Sequence, residues 1–220
     1  MFHQRFVRSW ALAGALCASV GASPAQVLIN EGFDHVDDLG SKGWVFANLS
    51  APAGSVSSWY QGQSYLFTAQ SGPDGSYAAS NYAVAGDDGL INNWMVTPLF
   101  ATDQAGTASF WIRGINEPGY SDLLSFGFSG GGMAITDFQL SHPMLAPADW
   151  TQVTLNFAAA GAGSMGRLAI VHLGLQSTSN YAGVDSLMVT AVPEPQAWAL
   201  MALGLAGIGL IKLRHRQSGC

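Results

Sequence analysis

The stretch that decides the fold reads Trp150-Thr-Gln-Val-Thr-Leu-Asn-Phe157 and alternates between two faces. In an extended chain, its odd-numbered positions lie on one side and its even-numbered positions on the other. The odd-numbered side carries Val153, Leu155 and Phe157, whereas the even-numbered side is mostly polar. A period of two is typical of a half-buried β-strand, so this stretch predicts one strand of a sheet.

Short alternating or apolar runs recur outward from this stretch in both directions, and helical periodicity is hard to find. Gly, Ser, Asn and Ala interrupt the chain about every eight to twelve residues, which is the spacing of an all-β sandwich or barrel. We therefore predict an all-β, two-sheet jelly-roll sandwich. Its predicted strands are Val27–Phe33, Trp59–Tyr60, Tyr65–Phe67, Tyr77–Ala79, Asn93–Thr97, Ala108–Gly114, Leu123–Ser129, Ile135–Leu140, Trp150–Phe157, Arg167–Leu175 and Gly183–Val189.

The N-terminus has the order of a secretory signal. Arg5 and Arg8 precede an apolar run of about a dozen residues, and small residues follow near Ala25. We expect residues 1–25 to be a signal peptide with a short signal helix, which the Sec translocon and signal peptidase would handle. Cleavage after Ala25 is the first choice, and cleavage after Ser23 the second. Lipidation of Cys17 is disfavoured because the apolar run continues past it.

The C-terminus combines a proline-bracketed carboxylate, an apolar run at 197–211 and a basic end. As a helix the run spans about 22 Å, short of the ~30 Å hydrocarbon core. Snorkelling of Lys212 lengthens it, and the positive charges keep this end in the cytoplasm. We predict a single transmembrane helix with the body outside the cytoplasm. A buried core helix and a glycolipid-anchor signal are the alternatives, but the basic ending argues against both.

This tail resembles the PEP-CTERM sorting tail of Gram-negative bacteria. The motif is matched by Pro193, Glu194 and Pro195, and the tail occupies residues 192–217. The resemblance implies recognition by an exosortase-type membrane transpeptidase. It also implies delivery to the cell envelope, the surface or an extracellular polysaccharide matrix, as in a biofilm.

The body between the two signals is acidic and lacks cysteine. From residue 26 to 192 it holds three basic residues and thirteen acidic ones, a net charge of 3 − 13 = −10. That charge argues against nucleic acid or anionic lipid as a partner and suits cation binding. Cys17 and Cys220 both fall outside the body, so an exported domain would fold without a disulfide.

The body, residues 26–191, resembles the choice-of-anchor J domain, which is related to the cleaved-adhesin and MAM-like jelly rolls. That family often has Asp where this chain has Asn93, which puts any role of that carboxylate in doubt. The resemblance implies a surface module with no fixed ligand. The matching motifs are Asn30–Asp34, Gly43–Trp44, Asn93–Pro98, Ser109–Trp111, Trp150–Val153 and Gly183–Val189.

Three carboxylates form a candidate calcium site. Glu31 and Asp34 lie on or just after the predicted first strand, and Asp185 lies on the last. First and last strands of a jelly roll are commonly neighbours, so these oxygens would converge as a structural Ca²⁺ ion requires. The alternative is that they are solvated or bound to turns. The loop Gly86-Asp-Asp-Gly89 is a weaker cation or acid–base candidate and is more simply a solvated turn.

Exposed aromatic residues are the candidate sugar-stacking platform, with Trp59 and Tyr60 as the chosen pair. The alternative for every member is ordinary core filling. Trp94, Trp111 and Trp150 are expected in the core. The full set of platform candidates is Trp44, Trp59, Tyr60, Tyr65, Tyr77, Tyr82 and Tyr120.

Catalytic motifs are missing from the sequence. It contains no nucleophile elbow, zinc-protease motif or P-loop, and His172 falls in an apolar run that predicts a packed core histidine. The sequence therefore favours an exported, non-enzymatic protein of the envelope or the exopolysaccharide matrix. The alternative is a carbohydrate-binding or adhesion module that recognises matrix polysaccharide.

Overall fold

The structure is a computed structural model that describes residues 25–115, 117–192 and 204. The predicted signal helix, the sorting triplet and the predicted transmembrane helix lie outside the described residues, apart from Ala25 and Gly204. Within the described part, no helix has the length and apolar character needed to cross a membrane.

Fourteen strands and four short 3-10 helices make up the described chain. The 3-10 helices are Val36–Lys42, Tyr82–Val84, Ile135–Asp137 and Gln176–Thr178. The strands are β1 (Gln26–Glu31), β2 (Val45–Asn48), β3 (Ala51–Ala53), β4 (Tyr60–Gln61), β5 (Ala78–Asn81), β6 (Ala85–Val96), β7 (Phe100–Ala101), β8 (Gly106–Gly114), β9 (Leu123–Ser129), β10 (Gln139–Leu140), β11 (Met144–Leu145), β12 (Thr151–Phe157), β13 (Met165–Leu175) and β14 (Tyr181–Ala191).

The strands form two antiparallel sheets. Sheet A has the order β12-β8-β14-β5-β4, with β1 also paired to β14. Sheet B has the order β10-β9-β13-β6-β2, with β11 on β9, β3 on β6 and β7 on β13. The predicted all-β sandwich is therefore confirmed.

Strand β14 lies at the centre of sheet A. One of its edges pairs with β8, while the other is shared by β5 near Tyr181 and by β1 near Ala191. The expected neighbourhood of the first and last strands is thus confirmed, with Gln26 opposite Ala191. Because β14 has eleven residues, its first and last residues are ten steps of ~3.3 Å apart, and Tyr181 and Ala191 lie about 33 Å from each other.

The main core fills the space between the sheets. Phe110 and Ile112 of sheet A face Phe126 and Ile170 of sheet B, and all four are buried. The predicted alternation of β12 is confirmed, since Val153, Leu155 and Phe157 pack against this core. Alternation arises because neighbouring side chains of a strand point to opposite faces.

A second, aromatic cluster lies on the outer face of sheet A, because its residues Ala79 and Tyr181 alternate with the core residues Ala78 and Ala182. The rings of Phe67 and Tyr77 stack at 4.9 Å, and Trp150 meets both rings edge-on. Gly62 lies under the Tyr77 ring, where a Cβ would come within 2.4 Å of it. A glycine is therefore required at the turn that follows β4.

Several predicted elements differ from the observed ones. Residues 64–66 form a turn rather than the predicted strand Tyr65–Phe67, because Phe67 is needed in the aromatic cluster. The stretch Ile135–Leu140 opens as a 3-10 helix and becomes extended only at β10. The predicted loop Gly86–Gly89 lies inside β6 as an exposed irregularity opposite β3, and its two carboxylates face solvent.

Candidate functional site

The predicted calcium carboxylates fall into two separate environments. Glu31 accepts a hydrogen bond from the Phe33 amide at 2.9 Å, and its other oxygen lies 3.5 Å from the Lys42 ammonium. Asp34 accepts a hydrogen bond from the Ser76 hydroxyl at 2.6 Å. Glu31 is thus engaged by the first 3-10 helix, whereas Asp34 contacts the loop before β5.

Asp185, on strand β14, contacts the same loop. It is fully buried, and its Oδ2 accepts hydrogen bonds from the amides of Gln70 at 2.7 Å and Ser71 at 3.1 Å. Burial raises the pKa of the Asp185 carboxyl, and the hydrogen bonds from these amides and from Ser186 act in the opposite direction. Asp34 and Asp185 therefore hold opposite ends of residues 70–76.

Among residues 25–115 and 117–192, no three Asp, Glu, His or Cys side chains group closely enough to hold a metal ion. A Ca²⁺ ion near Asp34 and Asp185 would need backbone carbonyls and water for its remaining ligands. The calcium site thus stays a prediction, and two of its three carboxylates, Asp34 and Asp185, contact the same loop.

The chosen stacking pair is not exposed as expected. Trp59 is 6% exposed, belongs to the main core, and donates its indole N–H to the Asn93 carbonyl at 3.2 Å. Tyr60 is half-buried, and its ring meets Tyr181 edge-on. A sugar ring has no access to the face of Trp59, so this residue is a core residue and the choice of it as a platform is wrong.

The other aromatic candidates divide clearly. Trp44 and Tyr77 are buried, whereas Tyr65 is 78% exposed and Tyr82 and Tyr120 are each 45% exposed. Of the tryptophans expected in the core, Trp94 is buried, Trp150 is half-buried in the aromatic cluster, and Trp111 lies half-buried on the outer face of β8.

Tyr82 and Tyr120 line one polar pocket of about 330 Å³. Three loops that connect the two sheets build it: the helix Tyr82–Val84, the segment that joins β8 to β9, and the helix Gln176–Thr178 with the residues after it. We call it the loop pocket. Its lining residues are Tyr82, Glu117, Tyr120, Gln176, Ser177, Ser179 and Asn180.

The loop pocket carries several hydrogen-bonding groups. The Asn180 amide donates to Oε2 of Glu117 at 3.0 Å. The Ser179 hydroxyl is buried, and within the part of the chain that the structure describes it has no hydrogen-bond partner. Buried hydroxyls are normally paired, and this one lies against Gly174, where an added Cβ would come within 2.7 Å of it.

A buried polar network supports the pocket from the core. Asp122 accepts hydrogen bonds from the backbone amides of Asn180 at 2.8 Å and Tyr181 at 3.0 Å, and its Oδ1 lies 3.2 Å from Nε2 of His172. Nδ1 of His172 lies 2.9 Å from the Ser80 hydroxyl. The prediction that His172 is a packed core histidine is confirmed, because it is fully buried.

The network continues across the sandwich to Asn93. Its amide donates to the Ser80 hydroxyl at 2.9 Å, and its Oδ1 accepts from Ser58 at 3.1 Å. Ser80 thus joins the Asn93 amide to Nδ1 of His172, and Nε2 of the same imidazole lies against Asp122. An amide at Asn93 fits this chain because a carboxylate would supply no donor to Ser80.

Ser80, His172 and Asp122 thus have the composition of a hydrolytic triad. All three side chains are buried, none of them lines the loop pocket, and the serine contacts Nδ1 rather than the Nε2 used by the usual triad. A substrate has no path to the hydroxyl, so the arrangement links the two sheets.

A second concavity lies on the outer face of sheet B. It measures about 610 Å³ and is mostly apolar, with Leu49, Leu90 and Leu175 exposed along it. It borders the loop pocket, because Ser121 and Thr178 line the groove while their neighbours Tyr120, Ser177 and Ser179 line the pocket. We call it the sheet B groove.

The fold of the domain is a two-sheet jelly roll, and it is similar to solved cleaved-adhesin domains. The K1 cleaved adhesin domain of Lys-gingipain from Porphyromonas gingivalis W83 matches with a TM-score of 0.57 and 16% identity, over 74% of this chain and 97% of that domain. The K3 domain of the same protein matches at 0.54 and 15%, over 75% and 99% respectively. At these identities, the likeness shows the fold alone.

The tail is identified more specifically. Residues 191–217 match the PEP-CTERM protein-sorting motif, which confirms the tail predicted from the sequence. This motif implies export and processing by an exosortase-type system. No curated protein matches the chain in sequence.

Sequence reasoning missed the loop pocket and Asp122. Tyr82 and Tyr120 were among the platform candidates but were not chosen, and nothing in their spacing shows that their loops meet. One signal was available: each of the three loops joins a strand of sheet A to one of sheet B. Correct assignment of strands to sheets would have placed the three loops at the edge between the layers.

Proposed function

We propose that this chain is an exported, non-enzymatic protein of the cell envelope or extracellular matrix, sorted through its PEP-CTERM tail by an exosortase-type transpeptidase. The observation that carries the proposal is the position of the motif. The match begins at Ala191, the last residue of β14, so the whole tail follows the folded domain. A processing enzyme would then reach Pro193, Glu194 and Pro195 without unfolding a strand.

The test is fractionation of cells that produce the tagged full-length protein. Wild type should pass from the inner membrane to the envelope or the medium in a processed form. Glu194→Ala should accumulate unprocessed in the inner membrane, whereas Asp103→Ala, which removes an exposed carboxylate of the domain, should behave as wild type. Normal processing of Glu194→Ala would reduce the tail to a plain anchor, and a cytoplasmic wild-type protein would end the proposal.

The absence of catalysis is supported by the burial of the serine, histidine and aspartate described above. A Ca²⁺ ion at the loop 70–76, held by Asp34 and Asp185 together with backbone carbonyls and water, remains part of the proposal. There the ion would offset the cost of burying the Asp185 charge.

A second candidate function is carbohydrate binding to the matrix polysaccharide. The observation that favours it is the loop pocket, where two half-exposed tyrosines meet amide, carboxylate and hydroxyl groups. Binding of the full-length protein to a panel of immobilised polysaccharides tests it, and retention on none of them would leave the protein a passive matrix component.

A further inference from the structure

We propose that the loop pocket is a subsite for one uncharged, hydroxyl-rich sugar residue of an extended polysaccharide. The proposal rests on the carbohydrate-binding function above and assigns it a place and a ligand class. It relocates the binding residues from Trp59 and Tyr60 to the loops at the start of β14.

Two aromatic rings are available for stacking in the loop pocket. Tyr82 and Tyr120 are each 45% exposed, and neither ring is paired with another aromatic ring among the described residues. Sugars present C–H faces that are apolar, and tyrosine offers a flat ring with a polar edge. The exposed faces of these two rings are therefore covered more favourably by the C–H face of a sugar than by water.

The polar groups suit vicinal hydroxyls. The pair formed by Glu117 and Asn180 leaves Oε1 of Glu117 and the side-chain Oδ1 of Asn180 as acceptors beside the tyrosines. Ser179 is 1% exposed, so it shapes the wall of the pocket without offering its hydroxyl to a ligand. Gln176 adds a further amide to the wall.

The pocket is already assembled without a ligand. The Tyr82 amide donates to the Asn180 carbonyl at 3.0 Å, and the Ser121 amide donates to the Thr178 carbonyl at 2.7 Å. Asp122 fixes the amides of Asn180 and Tyr181 from the core. Because the three loops are tied to one another, little conformational entropy remains to be lost on binding.

Charge selects against acidic sugars. Glu117 lies in the wall, and the body has a net charge of 3 − 13 = −10. A uronate would meet like charge with no cation among the lining residues. The adjacent sheet B groove gives a continuing chain somewhere to lie, so an uncharged polysaccharide fits better than a free sugar.

The experiment measures binding of the full-length protein, purified from the envelope fraction in detergent, to soluble polysaccharides in affinity gels. The probes are a neutral glucan, galactan and mannan, and a polyuronate. We expect retention by at least one neutral polymer. Tyr82→Ala and Tyr120→Ala should each weaken it about tenfold, while Tyr82→Phe, which keeps the ring, should retain most of it.

Tyr65→Ala is the matched control, because Tyr65 is exposed and lies outside the loop pocket. Thermal unfolding of each variant verifies that the fold is retained. Failure of wild type to bind every probe would overturn the carbohydrate-binding function and the site with it. Wild-type binding that Tyr82→Ala and Tyr120→Ala leave at the Tyr65→Ala level would overturn the site alone. Stronger retention by the polyuronate would overturn the uncharged ligand class.

Discussion

His172 and Asp122 meet inside the sandwich, where the imidazole Nε2 lies 3.2 Å from the carboxylate Oδ1 and solvent reaches neither side chain. The pair connects the two sheets. His172, on β13 of sheet B, contacts Ser80 of β5 in sheet A, and Asp122, just before β9 of sheet B, accepts a hydrogen bond from the residue before β14 of sheet A. The contact thus couples the core to the loop pocket.

Removal of the Asp122 carboxylate should destabilise the protein strongly. Asp122→Ala leaves the amides of Asn180 and Tyr181 and the Nε2 of His172 without an acceptor. We expect the free energy of unfolding to fall by about 3–5 kcal/mol. Denaturant unfolding measures it, with Asp103→Ala as an exposed control expected within about 0.5 kcal/mol. Equal losses in both variants would show that the network contributes nothing specific.

Asp185 should give stability an unusual pH dependence. Burial raises the pKa of its carboxyl, so the folded chain binds this proton more readily than the unfolded chain does. The contribution of Asp185 to the free energy of unfolding should therefore grow as the pH falls through the raised pKa, and be least favourable above it. Relative to Asp185→Asn, wild type should gain stability between about pH 7 and pH 4.

Denaturant titrations of the two proteins across that range, both in excess chelator so that no cation competes with the proton, measure the difference. An Asp87→Asn variant, at an exposed position, corrects for the loss of one carboxylate. A wild type that loses stability relative to Asp185→Asn on acidification would contradict the assigned direction.

Bound calcium should stabilise the fold and be lost with the loop carboxylates. A site saturated a hundredfold above its Kd adds about 2.7 kcal/mol. We expect a chelator to lower the unfolding midpoint of wild type, and to have little effect on Asp34→Asn or Asp185→Asn. Glu31 contacts Lys42 and not the loop 70–76. The chelator should therefore still lower the unfolding midpoint of Glu31→Gln. An unchanged wild-type midpoint with chelator would rule the ion out.

Trp59 should contribute to the stability of the fold and not to ligand binding. Trp59→Ala empties a site in the main core and should cost about 3–5 kcal/mol. Tyr65→Ala removes a ring that is 78% exposed and should change stability by less than about 0.5 kcal/mol. Thermal unfolding compares the two. A Trp59→Ala variant as stable as wild type would place the indole outside the core after all.

The strands that alternate clearly, or that are bounded by turn residues, could be predicted from the sequence. Leu123–Ser129 matches β9 throughout, and Ala108–Gly114 falls within β8. The short strands β2, β3, β7 and β11 could not, because two to four residues carry no measurable period and are held extended by their partners.

The candidate site was less predictable than the fold. Whether an aromatic side chain is exposed depends on the sheet or loop that covers it in the fold. The sequence alone therefore does not show that Trp59 is buried and Tyr82 half-exposed. Asp122 could not be singled out either, since its partners lie fifty or more residues away and come together only when β13 and β14 have joined opposite sheets. The tail could be recognised from the sequence alone, because its motif is a continuous run of residues and does not depend on how the chain packs.

The placement of β14 has a mechanical consequence. Asn180, in the loop pocket, precedes this strand, and the chain leaves the domain toward its tail at Val192. A pull between a ligand held at one end and a tether at the other would run along a single strand, flanked by β8 on one edge and by β5 and β1 on the other. Its ladder hydrogen bonds lie across the direction of that load. They would have to break together in shear, instead of opening one after another.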